Sequence, residues 1–220
     1  MLKYIDGIRW VGDLSIHDAD VLAQYGKKAN KVFEHGAGGS TMILGQTSQQ
    51  VLSLEEMPKW HAIVSERINN LGLTNVTIKQ EVTDKDIDQY KKFDLLFIDG
   101  DASKRFFVIK RMWPFLSTGG YLLMHDTREF TPSKSRFRRE YFDIPGLPYE
   151  IASMFRSEIE NISFNIASSE GIKSNITVIT KAKQPFYENW QLKENRPAWS
   201  YGSDTSVKDK FLLSIQAEIV

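Results

Sequence analysis

Two runs, FDLLFIDGD (93–101) and GGYLLMHD (119–126), are apolar at almost every position before they end in acids. A strand that shows one face to water alternates apolar and polar side chains; a strand without that alternation has to be covered on both faces. Inner strands of a parallel sheet between two helical layers meet the condition, and the chain supplies the helices. Strand-like and helix-like stretches alternate from about residue 31 to 125: KVFEH, then STMILGQTS, then QVLSLE. A helical pattern follows from Pro58 to Leu71, with Trp60, Ile63, Val64, Arg67, Ile68 and Leu71 three or four residues apart. Pro58 suits its first turn and Gly72 its end. NVTIKQE, the first apolar run, the helical KRFFVIKRMWPFL stopping near Pro114, and the second apolar run complete the series. The expected fold is α/β, a doubly wound and mostly parallel sheet with right-handed crossovers.

After Asp126 the rhythm changes. Residues 127–150 read as a polar, basic, proline-containing excursion. Two strands, ISFNIAS and SNITVITK, then flank a short loop holding Gly171 and must pair antiparallel, because a parallel pair needs a long crossover. Residues 1–183 are expected to form a single domain with a helical lead-in. Residues 184–220 form an extension, aromatic at first and amphipathic at its end, that packs on the domain or on a dimer partner.

The bulk numbers exclude several function classes. Lys and Arg number 28 and Asp and Glu 28, so no global field draws nucleic acid or an anionic membrane. The basic run at 134–139 (Lys134, Arg136, Arg138, Arg139) reads first as a solvated face and second as a site for an acidic substrate. Cysteine is absent, which removes disulfides and thiolate metal sites. No stretch is long and apolar enough to span a membrane, and the first residues lack the apolar core of a secretory signal. A cytoplasmic protein is expected.

Ligands in open α/β sheets sit beyond the carboxyl ends of the strands, beside the first one. There the chain reads EHGAGGST, with Gly36, Ala37, Gly38, Gly39 and Ser40 forming a turn that lets backbone approach a ligand. A dinucleotide turn would carry a third glycine where Thr41 stands, and Glu34 beside a pyrophosphate would be repulsive. A carboxylate beside an ammonium group is favourable. Glu55, twenty-one residues later at the end of the second strand, can accept both hydroxyls of a ribose. Ribose, base and a cationic amino-acid end without phosphate describe S-adenosylmethionine. The competing readings are an NAD-dependent enzyme or aminopropyl transferase on a similar scaffold, and a non-catalytic cofactor-binding module.

VFEHGAGGST, VLSLEEMPKW, FDLLFIDGD and GGYLLMHDT, in that order, resemble the class I S-adenosylmethionine-dependent methyltransferases. FIDGDASK and LMHDT are similar in style to the catechol- and sugar-type small-molecule O-methyltransferases. The resemblance implies a Rossmann-like seven-stranded sheet, order 3-2-1-4-5-7-6 with strand 7 antiparallel. It implies that Glu34 and the Gly36–Gly39 turn hold the methionine end and that Glu55 binds the ribose. Glu56 and Met57 would flank the adenine, and residues 80–84 would lie near its amino group. Asp99 joins this set at the end of the fourth strand.

Asp99 and Asp101 end one strand, and His125 and Asp126 end the next. Clustered carboxylates repel unless a cation or a proton joins them. A divalent ion, Mg²⁺ or another, would join them, and the resemblance implies Asp99 and Asp126 as its ligands, with Asp101 as a substitute for Asp99. His125 stands where the resemblance puts a second acid, and imidazole suits Mn²⁺, Fe²⁺ or Zn²⁺ better than Mg²⁺. The acceptor hydroxyl must lose its proton, either with a metal lowering its pKa or with His125 or Lys104 accepting it. The acceptor expected is a small molecule.

Overall fold

A computed structural model describes residues 3–12, 14–127 and 146–183. The basic run at 134–139 and the 184–220 extension lie outside the described residues. The elements are β1 (Lys3–Ile5), β2 (Ile8–Trp10), α1 (Ile16–Gly26), β3 (Lys31–His35), α2 (Gly39–Thr47), β4 (Gln50–Leu54), α3 (Pro58–Asn70), β5 (Val76–Lys79), α4 (Asp84–Tyr90), β6 (Phe93–Ile98), α5 (Arg105–Met112), β7 (Leu116–Met124), α6 (Leu147–Met154), β8 (Ile159–Ser163) and β9 (Thr177–Lys181).

Seven strands form one sheet in the order β5-β4-β3-β6-β7-β9-β8. Pairing is parallel from β5 through β7, and β9 runs antiparallel to both β7 and β8. This is the expected seven-stranded arrangement. The apolar runs occupy β6 and β7, inside the sheet, where both faces need cover. Leu95, Phe97 and Leu123 pack on one side with Leu22, Ile43, Leu44 and Val64 of α1, α2 and α3. Leu96, Ile98, Leu122 and Met124 pack on the other with Ile87, Ile109 and Ile151 of α4, α5 and α6. Burying each such side chain stabilises the fold by about 1.5–3 kcal/mol.

Four differences from the sequence expectation have local causes. The lead-in begins with a hairpin, β1–β2, before its helix; Asp6 (φ 47°) and Gly7 (φ 79°) make the tight turn that an Asp-Gly pair favours. The short α4 is set by a capping box, in which Thr83 and Asp86 satisfy each other's backbone N–H, and it buries Ile87. Helix α6 begins at the end of the stretch read as an excursion and runs four residues past it; its Leu147, Tyr149, Ile151 and Ala152 are buried. Finally, β8 starts at Ile159, three residues before the expected run, and ends at Ser163. Asn165 has φ 45°, which an extended strand does not allow, so only an isolated bridge between Ala167 and Lys173 continues the pairing.

Candidate active site

The site is assembled where β3, β4, β6 and β7 end. Gly36 turns the chain after β3 with φ 91°, and a Cβ there would lie 2.4 Å from the backbone N of Gly100, after β6. Glycine at this position therefore lets the two loops touch. Gly39 is pressed from the other side, since a Cβ would meet the Val11 carbonyl oxygen at 2.4 Å. Gly38 alone in the turn faces open space, with nothing within 4 Å of where a side chain would start.

Glu55 follows β4 and joins its loop to the glycine turn. Its carboxylate accepts from the Ala37 N–H at 3.1 Å and from the Met57 N–H at 2.9 Å. Burial pushes its pKa up, and the two backbone donors pull against that shift. An open glycine backbone beside a carboxylate held by backbone donors, with no third glycine to cradle a pyrophosphate, fits the S-adenosylmethionine expected from the sequence.

Glu34 has a different duty from the one expected. Its side chain is wholly buried and accepts three hydroxyl donors, Ser40, Thr41 and Ser53, each at 2.6 Å. Burial raises its pKa to about 7, and the hydroxyls pull it partly back. Rather than meeting a ligand directly, it braces the turn from beneath. Thr41, which replaces the third glycine, is part of that brace, because its hydroxyl also accepts the Gly38 N–H at 2.9 Å. An acid followed at six and seven residues by Ser and Thr was the signal for this arrangement.

Glu56 pairs with Lys104 at 2.8 Å. The hydrogen bond to Glu56 raises the Lys104 pKa, so the ammonium stays charged and does not serve as a base near neutrality. This removes the proton-accepting role expected of Lys104. Met57 is 65% exposed beside these groups. His35, which sequence reasoning passed over, lies buried under Gly100 with Nε2 3.6 Å from Glu56. Burial lowers its pKa.

The shelf at the ends of β6 and β7 is a network built on five charged side chains. His125 Nδ1 lies 2.9 Å from Asp99 Oδ1 and 3.6 Å from Asp126 Oδ1. Its Nε2 lies 3.5 Å from Asp18 Oδ2, an ion-pair separation rather than a formed hydrogen bond. Asp18 belongs to α1, where it forms a capping box with Ser15 and also accepts the Asn175 N–H. Asp126 adopts φ 56°, and its Oδ1 accepts the Asn175 side-chain amide at 2.8 Å. Arg105, the first residue of α5, reaches in with its side chain 3% exposed.

Charge decides the protonation states here. Burial works against a charged His125, but Asp99, Asp18 and Asp126 outweigh it and raise its pKa to about 10. These three carboxylates favour the imidazolium form of His125, which argues against the expected role as a general base. Burial likewise opposes the charge of Asp18, yet the imidazolium holds its pKa down at about 2. Asp101 stands apart: it accepts the Ser103 N–H at 2.9 Å and hydroxyl at 2.8 Å, and those bonds lower its pKa. It caps a turn and is not a substitute for Asp99.

Asp99, His125 and Asp126 each offer a donor atom within 4.8 Å of the others, the one such group among the described residues. By count they could ligate a divalent ion, but a cation already stands beside each carboxylate. Asp99 Oδ1 already faces the imidazolium and the Arg105 guanidinium, and Asp126 Oδ2 lies 3.7 Å from the same guanidinium. As arranged, the residues do not fit a metal ion.

Residues 33–127 match the family model described as a methyltransferase domain. Similar solved structures include the O-methyltransferase from Bacillus cereus in complex with S-adenosylhomocysteine (SAH): 20% identity, 77% of this chain and 83% of that one, TM-score 0.58. The SAH-bound methyltransferase from Podospora anserina shares 17% identity over 73% of this chain and 76% of that one, TM-score 0.56. The O-methyltransferase from Streptomyces achromogenes involved in tomaymycin synthesis, in complex with S-adenosylmethionine, shares 12% over 78% and 83%, TM-score 0.56. At these identities the likeness is one of fold. No curated protein sequence matches the chain. No helix among the described residues is long and apolar enough to cross a membrane. Over residues 33–127 the chain thus matches a methyltransferase domain, and its sheet has the strand order expected from the resemblance to that fold.

Proposed function

We propose that the protein transfers a methyl group from S-adenosylmethionine to an oxygen of a small-molecule acceptor. One observation carries this reading: an open glycine turn with Glu55 on one side, and an acid-and-imidazolium shelf on the other, at the carboxyl ends of the adjacent strands β3 and β6. The Bacillus and Streptomyces O-methyltransferases, with their sulfur ligands bound, support oxygen as the acceptor atom.

Bound in this cleft, S-adenosylmethionine supplies a methyl group activated by its sulfonium. Glu55 holds the ribose hydroxyls, and Glu56 and Met57 flank the adenine. The backbone of the glycine turn faces the methionine end, with Glu34 acting through Ser40 and Thr41. Asp99 takes the acceptor's hydroxyl proton and passes it to solvent; at 23% exposure it is more open than Asp126 at 19% or Asp18 at 6%. The His125 imidazolium offsets the negative charge that grows on the acceptor oxygen. Ile98 and Met124, both fully buried, help keep water from the floor.

A second reading is a cofactor-binding module without turnover. It draws support from His125 being protonated and Lys104 being paired with Glu56, which leaves neither ready to accept a proton.

Calorimetric titration tests the binding half. S-adenosylmethionine and SAH should bind saturably and NAD should not. Glu55→Ala should weaken binding by about 1–3 kcal/mol, the cost of losing a charged hydrogen-bond partner. Failure of both sulfur ligands to bind overturns the proposal. Incubation of labelled cofactor with a library of hydroxylated acceptors then separates the readings, since binding without transfer to any of them supports the module.

A further inference from the structure

Arg105 is the residue of the site that neither its sequence context nor the methyl-transfer reading requires. In KRFFVIKR it looks like one cation of an exposed helical face. Instead it is 2% exposed, and each nitrogen of its guanidinium donates a hydrogen bond. Nε donates to the Gly100 carbonyl at 2.8 Å, Nη1 to the His125 carbonyl at 2.7 Å, and Nη2 to the Asp99 carbonyl at 3.1 Å. Nη2 also lies 3.4 Å from Asp99 Oδ1 and 3.7 Å from Asp126 Oδ2. Three backbone carbonyls and two carboxylates from the ends of β6 and β7 therefore converge on one charge.

A buried guanidinium persists only when it is paired, and it does not shed its charge by losing a proton. Its planar fork fixes directions as well as charge, which a hydrated ammonium would not. The carbonyls it binds belong to Asp99 and His125 themselves and to Gly100, the residue that touches the glycine turn. A divalent ion drawn to Asp99 and Asp126 would share their oxygens with this fixed positive charge and be repelled by it.

We propose that Arg105 is the built-in counter-ion of the acidic shelf, a positioning residue that balances Asp99 and Asp126 and ties the end of β6 to that of β7 in the role a divalent cation would otherwise fill. The claim concerns the same site as methyl transfer, but its test needs no turnover, so it can fail while that reading stands.

The measurement is titration of the full chain with Mn²⁺, followed by the loss of the free-ion electron paramagnetic resonance signal. Wild type should take up no saturable equivalent. Arg105→Ala should gain roughly tenfold or more in Mn²⁺ affinity, about 1.4 kcal/mol, and adding Asp99→Asn should remove the gain. Arg105→Lys, which keeps the charge, should bind as weakly as wild type. A wild-type protein that binds one equivalent and loses it on Asp99→Asn overturns the proposal, as does an Arg105→Ala variant that binds no better than wild type. Should Arg105→Ala fail to fold, Arg105→Gln replaces it, and the wild-type titration decides by itself.

Discussion

The two halves of the cleft satisfy buried carboxylates in opposite ways. On the β3–β4 side, Glu34 is surrounded by three neutral hydroxyls, and burial lifts its pKa to about 7. On the β6–β7 side, Asp18 faces a cation and its pKa falls to about 2. Hydroxyls supply hydrogen bonds but no charge, so they offset only part of the desolvation cost; cations cancel the charge itself. One wall is thus a neutral brace that shapes a turn. The other is an ionic cluster that keeps its polarity for chemistry.

His125→Ala leaves the shelf carboxylates short of a cation and should cost about 3–5 kcal/mol at neutral pH, measured by urea unfolding. Because the folded-state pKa of about 10 lies above the ordinary 6.5, the stabilisation from His125 is full below about pH 6.5 and is lost as pH rises towards 10. The gap between variant and wild type should narrow across that window. A constant gap would mean that the ring contributes packing and not charge.

Glu34→Gln sharpens the other half. The folded-state pKa of Glu34 is also raised, from 4.5 to about 7, so its favourable protonated state is lost as pH rises through 7. Between pH 4.5 and 8 wild type should therefore lose up to about 3 kcal/mol relative to Glu34→Gln. The His125 contribution is common to both proteins and cancels. Parallel stability curves would show that Glu34 is ionised at low pH and that its hydroxyl shell is stronger than its burial.

Much of this was legible beforehand, for a physical reason. Strand burial is written in local composition, so FDLLFIDGD and GGYLLMHD announce β6 and β7. Glu55, Asp99 and Asp126 stand at strand ends and can be placed by counting. What escaped depends on contacts that no local pattern records. Asp18 reaches His125 from a helix more than a hundred residues earlier in the chain. Arg105 looks like a surface cation until the β6 loop is folded over it, and His35 looks like a strand end until Gly100 covers it. Short elements escaped too, since α4 rests on a cap and one buried isoleucine. Glu34 was placed correctly at the turn, but which way its oxygens face is decided by Ser40, Thr41 and Ser53 together.

A crystal structure of the complex with SAH tests the account where it is most exposed. The ribose hydroxyls should lie on Glu55, the amino-acid end over Gly38, and the sulfur towards Asp99 and His125. Ligand density outside this cleft, or a ribose turned away from Glu55, would contradict it.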